Sequence, residues 1–210
     1  MRCISLNSSL EVLFMKEKTV NTRALVLTAL LSALVVILQI LSLVARMTGI
    51  PFAISLALIP IVIGASVSGP KAGAWLGLIC ALVILVTDSA AFMAVNPGGT
   101  VVTVLLKGIL AGYLSGVCYR ALSRSNKTVA AIAAAALCPI VNTGIFLLGC
   151  KIFFMDQINT WAEAAGFSGN TAGYMVTAFV GINFLIELAA NLVLSPAIVH
   201  LINIRESKNY

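Results

Sequence analysis

Apolar residues run along this chain in long blocks, with no alternation of period two and no narrow helical stripe. The blocks fall at about 24–45, 52–68, 72–94, 100–122, 128–150 and 173–203, separated by Gly, Pro and clusters of charge. A block of about 20 apolar residues is what one helical crossing of a bilayer requires. The pattern therefore predicts an all-α membrane protein with six transmembrane helices. The second block is short and is bounded by Pro51 and by Gly69-Pro70, the low end of a spanning length.

Composition agrees. The chain of 210 residues is 60% apolar and 10% charged, with a mean hydropathy of +1.08, whereas soluble domains are roughly 25% charged. The net charge of +6 is scattered over segment ends instead of forming a basic stripe or an aromatic-interleaved patch, so nucleic acid is not an expected partner. Those charges instead set orientation, because Lys and Arg favour cytoplasmic loops. Lys16, Lys18 and Arg23 precede the first block, Lys71 follows the second, Arg120, Arg124 and Lys127 follow the fourth, and Arg205 and Lys208 follow the sixth. Both termini are thus expected in the cytoplasm. Arg46, Lys151, Asp88, Asp156 and Glu163 fall on the opposite side, whose connections are 46–51, roughly 88–99, and a long one at 151–172. The long connection carries Trp161, Gly166, Phe167, Gly169 and Asn170 and reads equally as a lid or as an interfacial aromatic belt.

The domain expected is 15–210. Residues 1–14, MRCISLNSSLEVLF, are too short and interrupted for a signal peptide; Leu10 to Phe14 resembles the front of a protease-cleavage tag, and Met15 offers a second start. This stretch is read as disordered or as foreign to the fold.

Catalytic signatures are sparse. Gly69-Pro-Lys-Ala-Gly73 has the wrong order and spacing to cradle phosphates, so ATP hydrolysis is not expected in this chain. A single histidine, His200, makes neither a metal site nor a Ser-His dyad, and reads as interfacial. The five cysteines contain no CxxC pair, so neither a zinc site nor a disulfide framework is expected, and no cofactor is implied.

An ionisable group inside an apolar block costs at least about 2.5–3.5 kcal/mol at a helix centre and calls for a partner or a purpose. Lys107 sits two turns into the fourth block, Glu187 well inside the sixth, and Asp88 closes the third. Thr100, Thr103 and Lys107 follow i, i+3, i+7 spacing and share one helical face. With Asn96 nearby they form a candidate site for an anionic substrate. The alternative is a Lys107–Glu187 ion pair that fixes two helices with no ligand. Asn183, Glu187, Asn191 and Ser195, each four apart, form one polar stripe on the last helix. Pro139, Asn142, Thr143 and Gly144 interrupt the fifth near its middle, where freed backbone and amide groups would line a pocket or bond neighbouring helices.

Small residues recur: Ala29 and Ala33, four apart, on the first helix, and Gly64, Gly69, Gly73, Gly77, Gly108, Gly112 and Gly116 on others. They let helices approach closely. Several of these motifs resemble those of one family. Ile59-Pro-Ile-Val-Ile-Gly64 followed by Gly69-Pro-Lys-Ala-Gly-Ala-Trp-Leu-Gly77 resembles the second-to-third-helix signature of the substrate-binding S components of energy-coupling factor (ECF) transporters. Lys107-Gly-Ile-Leu-Ala-Gly-Tyr-Leu-Ser-Gly116 with Tyr119-Arg120 is similar to the family's fourth helix, and Ala29 to Ala33 to its first-helix AxxxA. The similarity runs from about Met15 to Arg205.

The resemblance implies a non-catalytic subunit of a bacterial cell membrane importer that binds a water-soluble vitamin from outside. It implies partners: a transmembrane coupling subunit, met by the Ala29/Ala33 face, and two cytoplasmic ATPases. It also implies release by rotation within the bilayer, and a pocket toward the outer face between the outer loops and helices four to six. Asn96, Thr100, Thr103, Lys107, Asn142, Asn183 and Glu187 are the expected substrate contacts. A buried lysine suits a carboxylate vitamin, pantothenate first; riboflavin, biotin, nicotinate and thiamine carriers share the scaffold. A stand-alone secondary transporter would show inverted repeats, and none is evident between 20–122 and 128–204. An intramembrane enzyme using Asp88, Lys107 and Glu187, and a structural accessory subunit, are the remaining alternatives.

Overall fold

The computed structural model describes residues 22–47 and 56–207, and these are almost entirely helical, with no strand among them. The expectations for residues 1–14, the Lys residues at 16, 18 and 208, and most of the 46–51 connection lie outside the described residues. In chain order the helices are α1 (Thr22–Met47), α2 (Leu58–Ser68), α3 (Pro70–Thr87), α4 (Ala90–Val95), α5 (Pro97–Leu122), α6 (Lys127–Phe153), α7 (Met155–Ala164) and α8 (Thr171–Tyr174). A π-helical turn (Met175–Val180) then leads into α9 (Gly181–Ser207).

Four of these, α1, α3, α5 and α6, are long and apolar enough to cross a membrane. The described part of the second block, α2, has only 11 residues, about 16 Å at 1.5 Å per residue against a hydrocarbon core of about 30 Å. The outer surface is apolar: Val86 is 88% exposed, Val193 76% and Ile152 70%. In water such a surface would aggregate; in a bilayer it faces acyl chains.

The interior is built from small residues. Ala130, Ala131, Ala134 and Ala135 of α6 are fully buried, and Ser115 of α5 donates a 2.9 Å hydrogen bond to the Ala134 carbonyl. A Cβ at Gly73 would overlap the Gly112 carbonyl, and one at Gly77 the Gly108 carbonyl, so α3 and α5 cross backbone to backbone. Only glycine permits that approach. Further along the crossing, Gly116 lies against Pro70.

The boundaries differ from the sequence expectation in three places. The apolar run to 94 is not one helix: α3 ends at Thr87, where Asp88 is expected to close it, Asp88 and Ser89 form the corner, and α4 is a separate short helix within the 88–99 connection. The Ser89 hydroxyl donates to the Ile84 carbonyl at 3.0 Å and satisfies part of that helix end. Pro139 does not interrupt α6, which runs continuously past it; one missing N–H is tolerated because the residue is fully buried among packed helices. The 151–172 connection is largely helical, with the apolar side of α7, Ile158 and Ala162, buried against the bundle.

Candidate functional site

One end of the bundle holds a cavity of about 130 Å³ lined by ten residues of α3, its corner, α4, α5, α6 and Phe154. The α5 wall is Thr100, Thr103, Val104 and Lys107. Thr100, Thr103 and Lys107 thus stand together, as their spacing predicts. The helix begins at Asn96, whose side-chain oxygen accepts from the Gly99 amide at 2.9 Å, and Pro97 follows at the first helical position. Asn96 therefore serves as the cap that sets the start of α5, and it does not line the cavity. The Thr100 hydroxyl is turned back onto the Asn96 carbonyl at 2.8 Å. The Thr103 hydroxyl, by contrast, is buried and has no hydrogen-bond partner, a cost of about 1–3 kcal/mol unless something supplies one.

Lys107 places its Nζ 4.9 Å from the centroid of the Phe146 ring, a cation–π contact across from α5 to α6. It also lies in the electrostatic field of Asp88 and Glu187. Of these two carboxylates, Asp88 lines the cavity and Glu187 does not. Asp88 is itself held: its Oδ2 accepts from Gln39 Nε2 at 2.7 Å and from the Thr87 hydroxyl at 3.0 Å. Gln39 comes from α1 and is 3% exposed. Sequence reasoning passed over it as a site residue, although a lone amide in a 24-residue apolar run is itself a signal.

The second feature not foreseen is aromatic. Phe92 of α4 packs edge-on against Phe146 (5.7 Å between centroids), Phe154 (5.1 Å) and Trp161 of α7 (5.6 Å). Phe92, Phe146 and Phe154 line the cavity, and Trp161 backs them. Aromatic residues are common in any membrane protein, so composition alone does not single these four out; only the corner at Asp88-Ser89 turns Phe92 toward α6.

The remaining expected contacts lie elsewhere. Asn142 is half-buried on α6 and lines no part of the cavity. Asn183 is on α9, and its side chain lies outside the described residues. On that helix Asn191 donates to the Glu187 carbonyl at 2.8 Å and Ser195 to the Leu192 carbonyl at 2.8 Å, both nearly fully buried, so this part of the polar stripe faces the bundle. Ala29 and Ala33 are exposed on α1, within a face that also exposes Leu30, Leu34 and Ile37. The four described cysteines are free.

The described residues thus form a helical bundle with four helices long and apolar enough to cross a membrane and a small cavity at one end, lined by one cation, one carboxylate, two threonines and three phenyl rings. The family assignment follows from the sequence match: residues 23–199 fit the profile of the ECF transporter substrate-specific component, and the chain belongs to that family. No curated protein and no solved structure matches it significantly. As a substrate-specific component it binds a small molecule for an ECF module and is not itself catalytic.

Proposed function

We propose that this chain captures an anionic water-soluble vitamin, pantothenate before the others, in the cavity between Lys107 and the aromatic cap. The observation that carries the reading is Lys107 at the cavity wall beside the unpartnered Thr103 hydroxyl. A carboxylate against Lys107 and a hydroxyl or amide against Thr103 satisfy both at once. The cavity of about 130 Å³ is below the roughly 300 Å³ at the low end of small-molecule pockets. It favours a compact ligand over a tricyclic flavin, and a ligand of any size beyond one small ring has to displace the cap. Asn142, Asn183 and Glu187 enter the site on that reading only with such a widening, and Asn96 acts by fixing α5.

In the same proposal the chain crosses the membrane six times with both termini in the cytoplasm of a bacterial cell. The end that carries Lys71, Arg120, Arg124 and Lys127 faces inward, by the bias of basic residues, so the cavity opens outward. The exposed Ala29/Ala33 face of α1 docks a transmembrane coupling subunit, and two cytoplasmic ATPases supply the energy. The stand-alone carrier is disfavoured because no repeat relates the two halves.

The test is to purify the chain, identify any co-purified small molecule by mass spectrometry, and titrate pantothenate, riboflavin and biotin against wild type and Lys107→Ala. Tight binding of one anionic vitamin, lost in the variant, supports the reading. A folded protein that binds none of the three removes it and leaves Lys107 as a structural residue held by Phe146 and its neighbouring carboxylates.

A further inference from the structure

The opposite end of the bundle carries a larger cleft, about 840 Å³, between the start of α3 and the last turns of α5. Lys71, Arg120 and Arg124 line it, all three exposed, and no acidic residue does. The glycine crossing of α3 on α5 ends here: Gly116 lies against Pro70, the first residue of α3, while α5 runs on to Leu122, and the cations stand around the gap. Its floor includes Ser68, whose hydroxyl is out of solvent contact and has no hydrogen-bond partner.

We propose that this cleft binds the headgroup of an anionic phospholipid. Three cations with no counter-charge on the lining call for an anion, and two of them are arginines, whose planar fork matches phosphate. The source of the phosphate follows from position. Tyr113, Val117 and Ala121, at four-residue intervals on α5, line the cleft and are exposed. They form a track along the lipid-facing side of a membrane helix, leading from the cations toward the hydrocarbon. A free phosphate has no use for that track, whereas an acyl chain lies along it. Basic pockets between helices at the membrane boundary hold anionic headgroups by this combination.

The experiment uses the full chain in mild detergent. Phosphatidylglycerol and phosphatidylcholine are titrated in turn, and bound lipid is counted by native mass spectrometry. One phosphatidylglycerol should be retained in clear preference to phosphatidylcholine, with roughly fivefold of that preference lost for each cation removed in Lys71→Gln, Arg120→Gln and Arg124→Gln. Lys151→Gln, at the other end, should leave it intact. All three cations are exposed, so the variants are expected to fold, and helicity by circular dichroism verifies this. Equal retention of the two lipids, or a preference that survives the triple variant, overturns the proposal. So does displacement of the lipid by millimolar inorganic phosphate, which would mark a free-anion site. If the variants leave lipid retention unchanged and instead weaken capture by a coupling subunit, the cleft is a protein contact and the lipid reading fails.

Discussion

Gln39 Nε2 donates to Asp88 Oδ2 at 2.7 Å and so ties the middle of α1 to the corner that ends α3. Both groups sit where water is scarce, and Asp88 forms part of the cavity wall. The bond therefore fixes where a negative charge stands relative to Lys107. Gln39→Leu should weaken ligand binding and lower the melting temperature together, by about 1–3 kcal/mol, the range for a hydrogen bond to a charged group. Thermal unfolding with and without ligand checks it. An unchanged ligand-induced shift would mean that Asp88 holds its place without Gln39.

Thr103→Val separates binding from folding. The hydroxyl is buried without a partner in the protein, so its removal relieves a desolvation cost and should leave stability unchanged or raise it by about 1 kcal/mol. Affinity should fall by roughly tenfold, about 1.4 kcal/mol, if the ligand supplies the missing bond. Calorimetry on wild type and variant decides; full affinity in Thr103→Val takes this residue out of the site.

Part of the architecture was legible in the apolar blocks, because a bilayer demands length and four of the described helices, α1, α3, α5 and α6, supply it. The face shared by Thr100, Thr103 and Lys107 was legible too, since helical periodicity is rigid over two turns. The end of α3 was legible as well, in the charge of Asp88 at the close of the third block; what was not legible is its tie to Gln39 of α1 and the short helix Ala90–Val95 that follows. Asn96 reads as a ligand contact because it lies a turn from Thr100, yet Asn before Pro is also a helix start, and its side chain caps α5. The four-ring cluster was illegible for a different reason, since it joins Phe92 to Phe146, Phe154 and Trp161, all far along the chain from it.

The glycine crossing makes a sharper stability prediction than any polar contact. Gly77→Val and Gly108→Val each force a side chain onto the facing backbone carbonyl, where nothing flexible can yield. Overpacking typically costs about 1–3 kcal/mol, and a backbone obstacle puts these two at or above the upper end. Gly144→Ala, at a position with open space around it, should be nearly silent and controls for loss of glycine itself. Monodispersity and unfolding temperature in detergent check the set; three equally stable variants would mean that α3 and α5 separate without cost.

Phe146→Leu tests the contact that holds Lys107. Nζ lies 4.9 Å from the Phe146 centroid, and a desolvated cation–π pair is worth about 0.5–2 kcal/mol. Leucine keeps an apolar wall of similar size and removes the ring's attraction for the cation together with its edge contact to Phe92, so Lys107 becomes freer to meet a ligand carboxylate but less well placed for it. Binding of an anionic vitamin should weaken by less than in Lys107→Ala, and the double variant should be no worse than Lys107→Ala alone. Additive losses instead would show that Phe146 contacts the ligand independently of the lysine.

Trp161 sits outside the cavity but packs edge-on, at 5.6 Å, against Phe92, which lines it. Any ligand larger than the cavity of about 130 Å³ has to push Phe92 aside, and Trp161 is then what the ring moves against. Trp161→Ala removes an aromatic pair worth about 0.5–1.5 kcal/mol beyond its burial and leaves Phe92 free to swing. The consequence for kinetics is directional. Opening becomes easier for ligands arriving and leaving, but the bound state alone loses the closed cap, so dissociation should accelerate more than association. Stopped-flow measurement of both rates, using whichever vitamin the titration identifies, distinguishes this from a general loosening of α7. If α7 merely anchors the bundle, Trp161→Ala lowers the melting temperature and leaves the ratio of the two rates as it was. If it closes the cavity, the ratio changes while Thr103 and Lys107 variants still act as they do in the wild-type background.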